Sequence, residues 1–443
     1  MRLVTVFVLS ILLSLVAARA SAAPISVEFP PGLQVPAAAR PGPDFDADKA
    51  TAAYIAMLTP EQRARSDAYF EGGYWLQLWN WLYGVAVAAV VLFSGLSRRI
   101  RELAERVSRR PWLYTPIYAA IWTVVGFVLA LPLAIYAGFL REHEYGLSEQ
   151  PFLSWFGDHL KGLGVAVVLG AILVTAVYAA LRRAGARWWI WATAIVFAFN
   201  LFVGMVAPVF IAPIFNHYQP LPEGPVREAV LSLARANEIP TEHVEWFDAS
   251  KQTTRISANV SGLWGTTRLS LNDNLLKRTS LPEIKAVLGH EMGHYVLSHT
   301  IGLTIYMTIV FGIVFWIARF AFDRALARWG ARTGVRDRGD PAGLPLLTVI
   351  VTTLLFLATP VLNGIVRNAE NEADAYGLNA AREPYGFAMV SMRLATYRKI
   401  VPGSIEEMLF FDHPSGYERV HRSMVWLKEN LSPRYAEEAA QAK

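Results

Sequence analysis

The chain contains no cysteine. That excludes disulfides, cysteine nucleophiles and thiolate metal sites, so any metal must be held by histidine and carboxylate. Charge is also scarce. Only 17% of the 443 residues are Asp, Glu, Lys or Arg, below the roughly 25% usual in soluble domains. Basic residues form no stripe interleaved with aromatics, so nucleic acid is not an expected partner. Paired apolar segments interrupted by Gly or Pro, a mark of many transporters, are few. Pro116 and Pro132 are the exception and are expected to break the second apolar segment.

What the chain has is apolar length. Hydrophobic residues make up 54% and aromatics 12%, with a mean hydropathy of +0.31. Six segments are long enough to cross a bilayer: 75–96, 114–140, 162–181, 188–211, 301–322 and 344–365. Trp75, Trp79, Trp81, Trp112, Trp188 and Trp189 lie at their ends, as interface anchors do. The expectation is a mainly α, multi-pass membrane protein. Residues 1–22 read as a signal peptide ending in Ala20-Ser21-Ala22, or as a first membrane helix. Residues 23–72 read as an extramembrane segment and 73–211 as four spans. Residues 212–300 and 367–443 are the extramembrane parts on either side of two further spans in 301–366.

The loops alternate in charge. Arg98, Arg99, Arg101, Arg106, Arg109 and Arg110 follow the first span; Arg182, Arg183 and Arg187 follow the third; Arg324, Arg328, Arg332, Arg336 and Arg338 separate the last two. The positive-inside rule puts these in the cytoplasm and 212–300 on the opposite face. A cleaved signal peptide predicts the same orientation, that of a bacterial inner-membrane protein with its extramembrane domain outside the cytoplasm.

Three of the nine histidines fall in the string Gly289-His290-Glu291-Met292-Gly293-His294-Tyr295-Val296-Leu297-Ser298-His299. Its core is His-Glu-x-x-His. On a helix, positions i and i+4 share a face, so His290 and His294 can hold one Zn2+ while Glu291 acts as general base on a water. The helix is expected over 281–299, with Ser280 and Glu283 forming a capping box. A catalytic zinc needs a third protein ligand. His299 lies five residues after His294 on a different helical face, and reads as a supporting or structural group. Glu370 and Asp374, just past the last span, share a helical face as i,i+4 neighbours. Glu370 is the expected ligand and Asp374 its neighbour, accepting from the free nitrogen of a ligand histidine. Glu372 is the weaker choice. Two spans separate this segment from His294, and two spans return a chain to the same side, so Glu370 can reach the histidines.

Short strands are expected at 244–247, 254–259 and 267–271, with 257–259 as an edge that could pair with an extended peptide. Asn259 is the candidate substrate contact.

The chain resembles the type I CAAX prenyl endopeptidases, integral-membrane zinc metallopeptidases of the gluzincin group. The resemblance covers roughly 75–430 in four blocks: Ile211-Ala212-Pro213-Ile214-Phe215-Asn216 with Pro220 to Gly224; Ser257-Ala258-Asn259 with Trp264-Gly265 and Arg268 to Asp273; Gly289 to His299; and Arg367 to Asp374 with His413-Pro414 and Arg419. It implies a helical membrane barrel enclosing a chamber, capped by a zinc peptidase domain with a small β-sheet. It implies zinc on His290, His294 and Glu370, Glu291 as base, Asp374 in support, and His413 and Arg419 holding the oxyanion or the substrate. Peptides or lipidated peptides and membrane lipid are the implied partners. Two features depart from the eukaryotic enzymes. Those face the cytosol, whereas the arginine pattern points to the other side. They also cut prenylated tails, and nothing in this sequence specifies a prenyl group. An HtpX-like quality-control protease is the alternative enzyme. A channel with a structural metal, or a chamber that binds lipopeptides without cutting them, is the non-catalytic alternative.

Overall fold

The computed structural model describes residues 29–430 apart from Pro31 and 263–266. The signal-peptide or first-helix expectation for 1–22, and the Trp264-Gly265 part of the second block, therefore lie outside the described residues.

The described chain begins with a short segment leading to α1 (Ala47–Ile55). Four long helices follow: α2 (Pro60–Phe93), α4 (Pro111–Glu144), α5 (Phe152–Arg183) and α6 (Gly185–Phe215), with the amphipathic α3 (Leu96–Val107) between the first two. A four-stranded sheet comes next, built from β1 (Tyr218–Pro220), β2 (Val244–Phe247), β3 (Ala258–Ser261) and β4 (Arg268–Asn272), with α7 (Pro225–Ala236) between β1 and β2. Then come α8 (Asp273–Arg278), α9 (Leu281–Val296) and the long apolar α10 (His299–Thr333). The chain finishes with α11 (Leu344–Leu357), α12 (Thr359–Ala381), α13 (Pro384–Leu394), α14 (Ser404–Phe410) and α15 (Gly416–Asn430).

Among the described residues, five helices are long and apolar enough to cross a membrane, and the apolar pair Pro341–Leu357 and Thr359–Ala381, bent by 58°, makes a sixth if it is counted as one span. The first five expected spans each fall on a long apolar helix, and the sixth falls on the bent pair. α2 begins at Pro60 because Thr59 and Gln62 cap it reciprocally: the Gln62 amide N–H donates to the Thr59 hydroxyl (3.2 Å) and the Thr59 N–H to the Gln62 side chain (3.0 Å). Pro116 and Pro132 do not break the second span. The helix runs through both and loosens into a π turn at Tyr136–Leu140, one way a helix absorbs a missing hydrogen bond. α2, α4, α11 and α12 line a cavity of about 660 Å³ with Trp81, Trp122, Leu133, Val349 and Phe356, reaching Thr359 and Leu362.

The sheet order is β1-β2-β4-β3, so β3 is an outer strand. It pairs antiparallel with β4, Asn259 opposite Ser270. The strand expected from 254 starts only at Ala258. Side chains take the place of a neighbouring strand before it: Asn274 Nδ2 donates to the Thr253 carbonyl and Asn272 Nδ2 to the Arg255 carbonyl, each at 2.7 Å, while the Thr254 N–H donates to the Leu147 carbonyl at 3.0 Å. That last bond ties the sheet to the end of the second span.

One face of the sheet packs Leu269, Leu271 and Ala258 onto Ile284, Leu288 and Met292 of α9. The N-terminal segment closes a separate core, with Tyr54 and Leu58 against Met389, Met392, Val420 and Met424. Arg393 of α13 joins the two parts. It pairs with Glu283 at the start of α9 and donates to the carbonyls of Phe29, Pro30 and Gly32. The N-terminal segment, the sheet with α9, and α13–α15 thus all lie at one end of the bundle, as the count of intervening spans requires.

Candidate metal centre and cleft

Small residues bring α9 and α12 together. A Cβ on Gly377 would sit 2.7 Å from the His290 backbone nitrogen, and one on Gly289 would sit 2.9 Å from the Gly377 carbonyl oxygen. A Cβ on Gly293 would meet Ala373 Cα at 3.1 Å. Such contact needs small side chains on both faces, as in close-packed membrane helix pairs. The Gly-x-x-x-Gly spacing of Gly289 and Gly293 was legible in the sequence, as was Ala373 with Gly377. It went unread there because the histidines overlapped it.

This packing places Glu370 over His290 and His294. His290 Nε2 and His294 Nε2 are 3.1 Å apart, and each is 3.3 Å from a Glu370 carboxylate oxygen. Ligand atoms about 2.0 Å from a tetrahedral zinc stand about 3.3 Å from one another. The two histidine distances run to different Glu370 oxygens, Oε2 for His290 and Oε1 for His294, and this spacing is of the size such an ion needs, so the three residues form a possible metal-holding group. Burial opposes charge on His290, but Asp374 and Glu370 outweigh it and push the imidazole up to about 9. Positive charge is favoured at this spot.

Both histidines are oriented from behind. His290 Nδ1 donates to Asp374 Oδ1 at 2.8 Å, so its Nε2 lone pair faces this group. For His294 the support is indirect. Its Nδ1 lies 2.9 Å from His299 Nδ1, and His299 Nε2 lies 3.1 Å from Glu372 Oε2. With the carboxylate accepting from His299 Nε2–H, the His299 Nδ1 lone pair accepts from His294, whose Nε2 is then free for the group. The expected helix over 281–299 would have put His299 on another face. Instead α9 ends at Val296, Ser298 turns the chain with φ 55°, and His299 opens α10 on a new axis. That break brings His299 back to His294.

Glu370 is further held by Arg419 Nη2 at 3.0 Å and faces His413 Nε2 at 3.3 Å. Arg419 Nε also pairs with Asp374 Oδ2 at 2.9 Å, and Asp412 accepts from His413 Nδ1 at 2.8 Å. Arg422, which the sequence reading did not single out, lies 3.4 Å from Asp374 Oδ2.

A cleft of about 180 Å³ opens on this group. His290, Glu291, Glu370, Asp374, His413 and Arg419 all line it. Burial pushes the Glu291 carboxyl above the ordinary carboxylate range, which suits a proton acceptor. Ser257 and Ala258 form part of its rim. Asn259 sits on the same outer strand but is not among the cleft-lining residues. Because Ser257 accepts from the Asn272 N–H at 2.9 Å, antiparallel alternation directs the N–H and C=O of Ala258 and Val260 away from β4. Sequence reasoning also missed Arg398, which shares the cleft with Arg419.

Comparison with known proteins matches the two halves of the chain separately. The profile described as CAAX prenyl protease N-terminal, five membrane helices, matches residues 47–217, and that of peptidase family M48 matches 220–424. The chain belongs to peptidase family M48. The M48 part holds β2, β3 and β4, α9 and α12, so the His-Glu-x-x-His segment and Glu370 both lie within the match. Among M48-type relatives, a protein named uncharacterized metalloprotease YhfN from Bacillus subtilis is 28% identical over 78% of this chain and 81% of that one. The CAAX prenyl protease 1 homolog of Arabidopsis thaliana is 28% identical over 54% of this chain and 58% of its own length, so the match spans little more than half of that relative. A crystal structure of S. mikatae Ste24p superposes with a TM-score of 0.68 at 21% identity, covering 83% of this chain and 89% of that one. The chain shares that protein's fold. It is a membrane metalloprotease by family, and the channel and binding-only alternatives are not favoured.

Proposed function

We propose that the chain is a zinc-dependent endopeptidase of CAAX-processing type that cuts a peptide, in its natural substrate a lipidated one, at the membrane boundary. The observation that carries this is the convergence of His290 Nε2 and His294 Nε2, 3.1 Å apart, on the Glu370 carboxylate, each 3.3 Å from one of its oxygens, with Glu291 in the same cleft. When bound there, zinc supplies Lewis acidity, lowering the pKa of a water and polarising a carbonyl. Glu291 would take a proton from the attacking water and return it to the leaving amine. His413 and Arg419, lining the same cleft, are the donors available to the developing oxyanion. The free edge of β3 would pair with the substrate backbone beside Ser257 and Asn259.

The lipid follows from the bundle. The membrane cavity ends at Leu362 of α12, eight residues before Glu370, or about 12 Å along a helix. An acyl or prenyl chain in that cavity would stand within reach of a peptide in the cleft. The arginine-rich loops lie at the other end of the spans, which supports a site facing away from the cytoplasm.

The test is hydrolysis of a quenched fluorescent farnesylated peptide by the detergent-purified protein, beside its unprenylated twin. Cleavage of the prenylated peptide alone, abolished by chelation and restored by zinc, is expected. Glu291→Gln should lower the rate by roughly two to four orders of magnitude with zinc retained. Equal cleavage of both peptides would make it a general membrane protease of HtpX-like kind. Full activity in Glu291→Gln would sink the mechanism.

A further inference from the structure

Beside His290, the residues His413, Arg419 and Arg398 line the cleft with nitrogen-bearing side chains. The first two are engaged. His413 faces Asp412 and Glu370, and Arg419 pairs with Glu370 and Asp374. Arg398 differs. Its backbone is tied in, the carbonyl accepting from Ser66 Oγ at 3.1 Å. Its guanidinium makes no hydrogen bond or ion pair among the described residues. Its acidic neighbours are already used, Glu370 by Arg419 and the histidines, Asp412 by His413. The side chain is partly buried and also lines a small hollow behind the cleft with Phe70, Phe411 and Pro414. Burial first, and the Arg419 charge second, pull its pKa below the usual arginine value.

A partly buried guanidinium that faces a cleft with no protein anion is available to one carried by a ligand. The planar fork of arginine matches a carboxylate with two parallel hydrogen bonds. Phe387, Val390 and Leu394 line the cleft too, among polar residues such as Ser391 and Tyr397, so a peptide with apolar side chains and one carboxylate suits it. We infer that Arg398 is a specificity-determining residue that binds a carboxylate of the substrate peptide, the free C-terminus or an acidic side chain, and so fixes where along the peptide the bond is cut. This rests on the peptidase reading above.

The test separates the two. Binding is measured first, in the zinc-loaded Glu291→Gln protein, by fluorescence anisotropy of a dansyl-labelled apolar pentapeptide. The arms are the free acid, its C-terminal amide, and the amide carrying one internal Glu. The acid should bind about 10- to 100-fold more tightly than the amide, the range of a hydrogen bond to a charged group. Adding Arg398→Gln should bring that ratio close to one, while Arg398→Lys, which keeps the charge but loses the fork, should give an intermediate ratio. If the Glu-bearing amide matches the acid, the carboxylate site stands and a side chain can fill it. Equal binding of acid and plain amide, or a preference that survives Arg398→Gln, would overturn the assignment. The same peptides are then offered to the protein with Glu291 intact. Absence of cleavage there counts against the peptidase reading alone, because the binding ratio has already decided the role of Arg398.

Discussion

At the arginine-rich end of the spans, Arg101 of α3 is 3% exposed and pairs with Asp340, itself 5% exposed. The Gly334 carbonyl accepts from the same guanidinium at 3.0 Å, and Asp340 also accepts from the Arg336 and Ala342 backbone N–H groups. At the opposite end, Glu370 and Asp374 are buried to a similar degree, at 7% and 0% exposed. Residue types and burial are alike, yet the two clusters serve different ends. Around Asp340 both carboxylate oxygens are taken up by protein donors, Arg101 and two backbone N–H groups, and among the described residues neither Asp340 nor Arg101 lines a cleft. Around Glu370 two histidine lone pairs and a carboxylate converge on a common point, and an arginine beside them lacks an anion. Buried charge alone does not mark a functional site. Polar atoms left over and facing a cleft do.

That contrast can be broken in several ways. Orientation gives the largest effect and should be all or none. The chain has no cysteine of its own, so single exposed cysteines report cleanly. Glu149→Cys, at the cleft end, should react with a membrane-impermeant maleimide in spheroplasts, and Arg106→Cys only after lysis; the reverse pattern would invert the proposed topology. Next, Arg101→Ala should destabilise by about 3–5 kcal/mol, because it strands a buried carboxylate. Thermal unfolding in detergent would show this, while the zinc content of the folded fraction stays that of the parent. Loss of zinc with no loss of stability would mean the two ends are not independent.

His299→Ala tests the indirect support of His294. It should weaken zinc binding by about 10- to 100-fold, as measured by chelator competition, the usual cost of removing a group behind a metal ligand. Unchanged affinity would reduce His299 to a packing residue. The smallest effect is expected for Arg336→Ala. Its pair with Glu105 is 2.6 Å long, but Arg336 is 55% exposed, and exposed ion pairs contribute about 1 kcal/mol or less.

Much of this was legible in the chain, and for physical reasons. Spans announce themselves because a bilayer demands continuous apolar helix. The capping box at the start of α9 was readable because it is local: Glu283 accepts from the Ser280 N–H at 2.7 Å. Glu370 was reachable by counting spans. What escaped depends on directions that sequence spacing does not carry. His299 joins His294 only through the left-handed turn at Ser298, and Glu372 meets His299 only because α12 crosses α9 at glycine distance. The strand expected from 254 failed because amides from Asn272 and Asn274, far along the chain, cap its carbonyls. Arg398 lay in a stretch of ordinary helix-end residues, and its lack of a partner is a property of the folded cleft.

The separation of His294 from Glu370 also bears on biosynthesis. These two proposed ligands are 76 positions apart, with the two proposed last spans between them. At roughly 5–20 residues per second, Glu370 is synthesised about 4–15 seconds after His294. It can reach the histidines only after α10 and α11 have both entered the bilayer. During that interval the nascent chain carries Glu291 and both imidazoles without the carboxylate proposed to complete their site. Completion of the hydrolytic centre is thereby coupled to completion of membrane insertion, so half-inserted chains are born without a working blade.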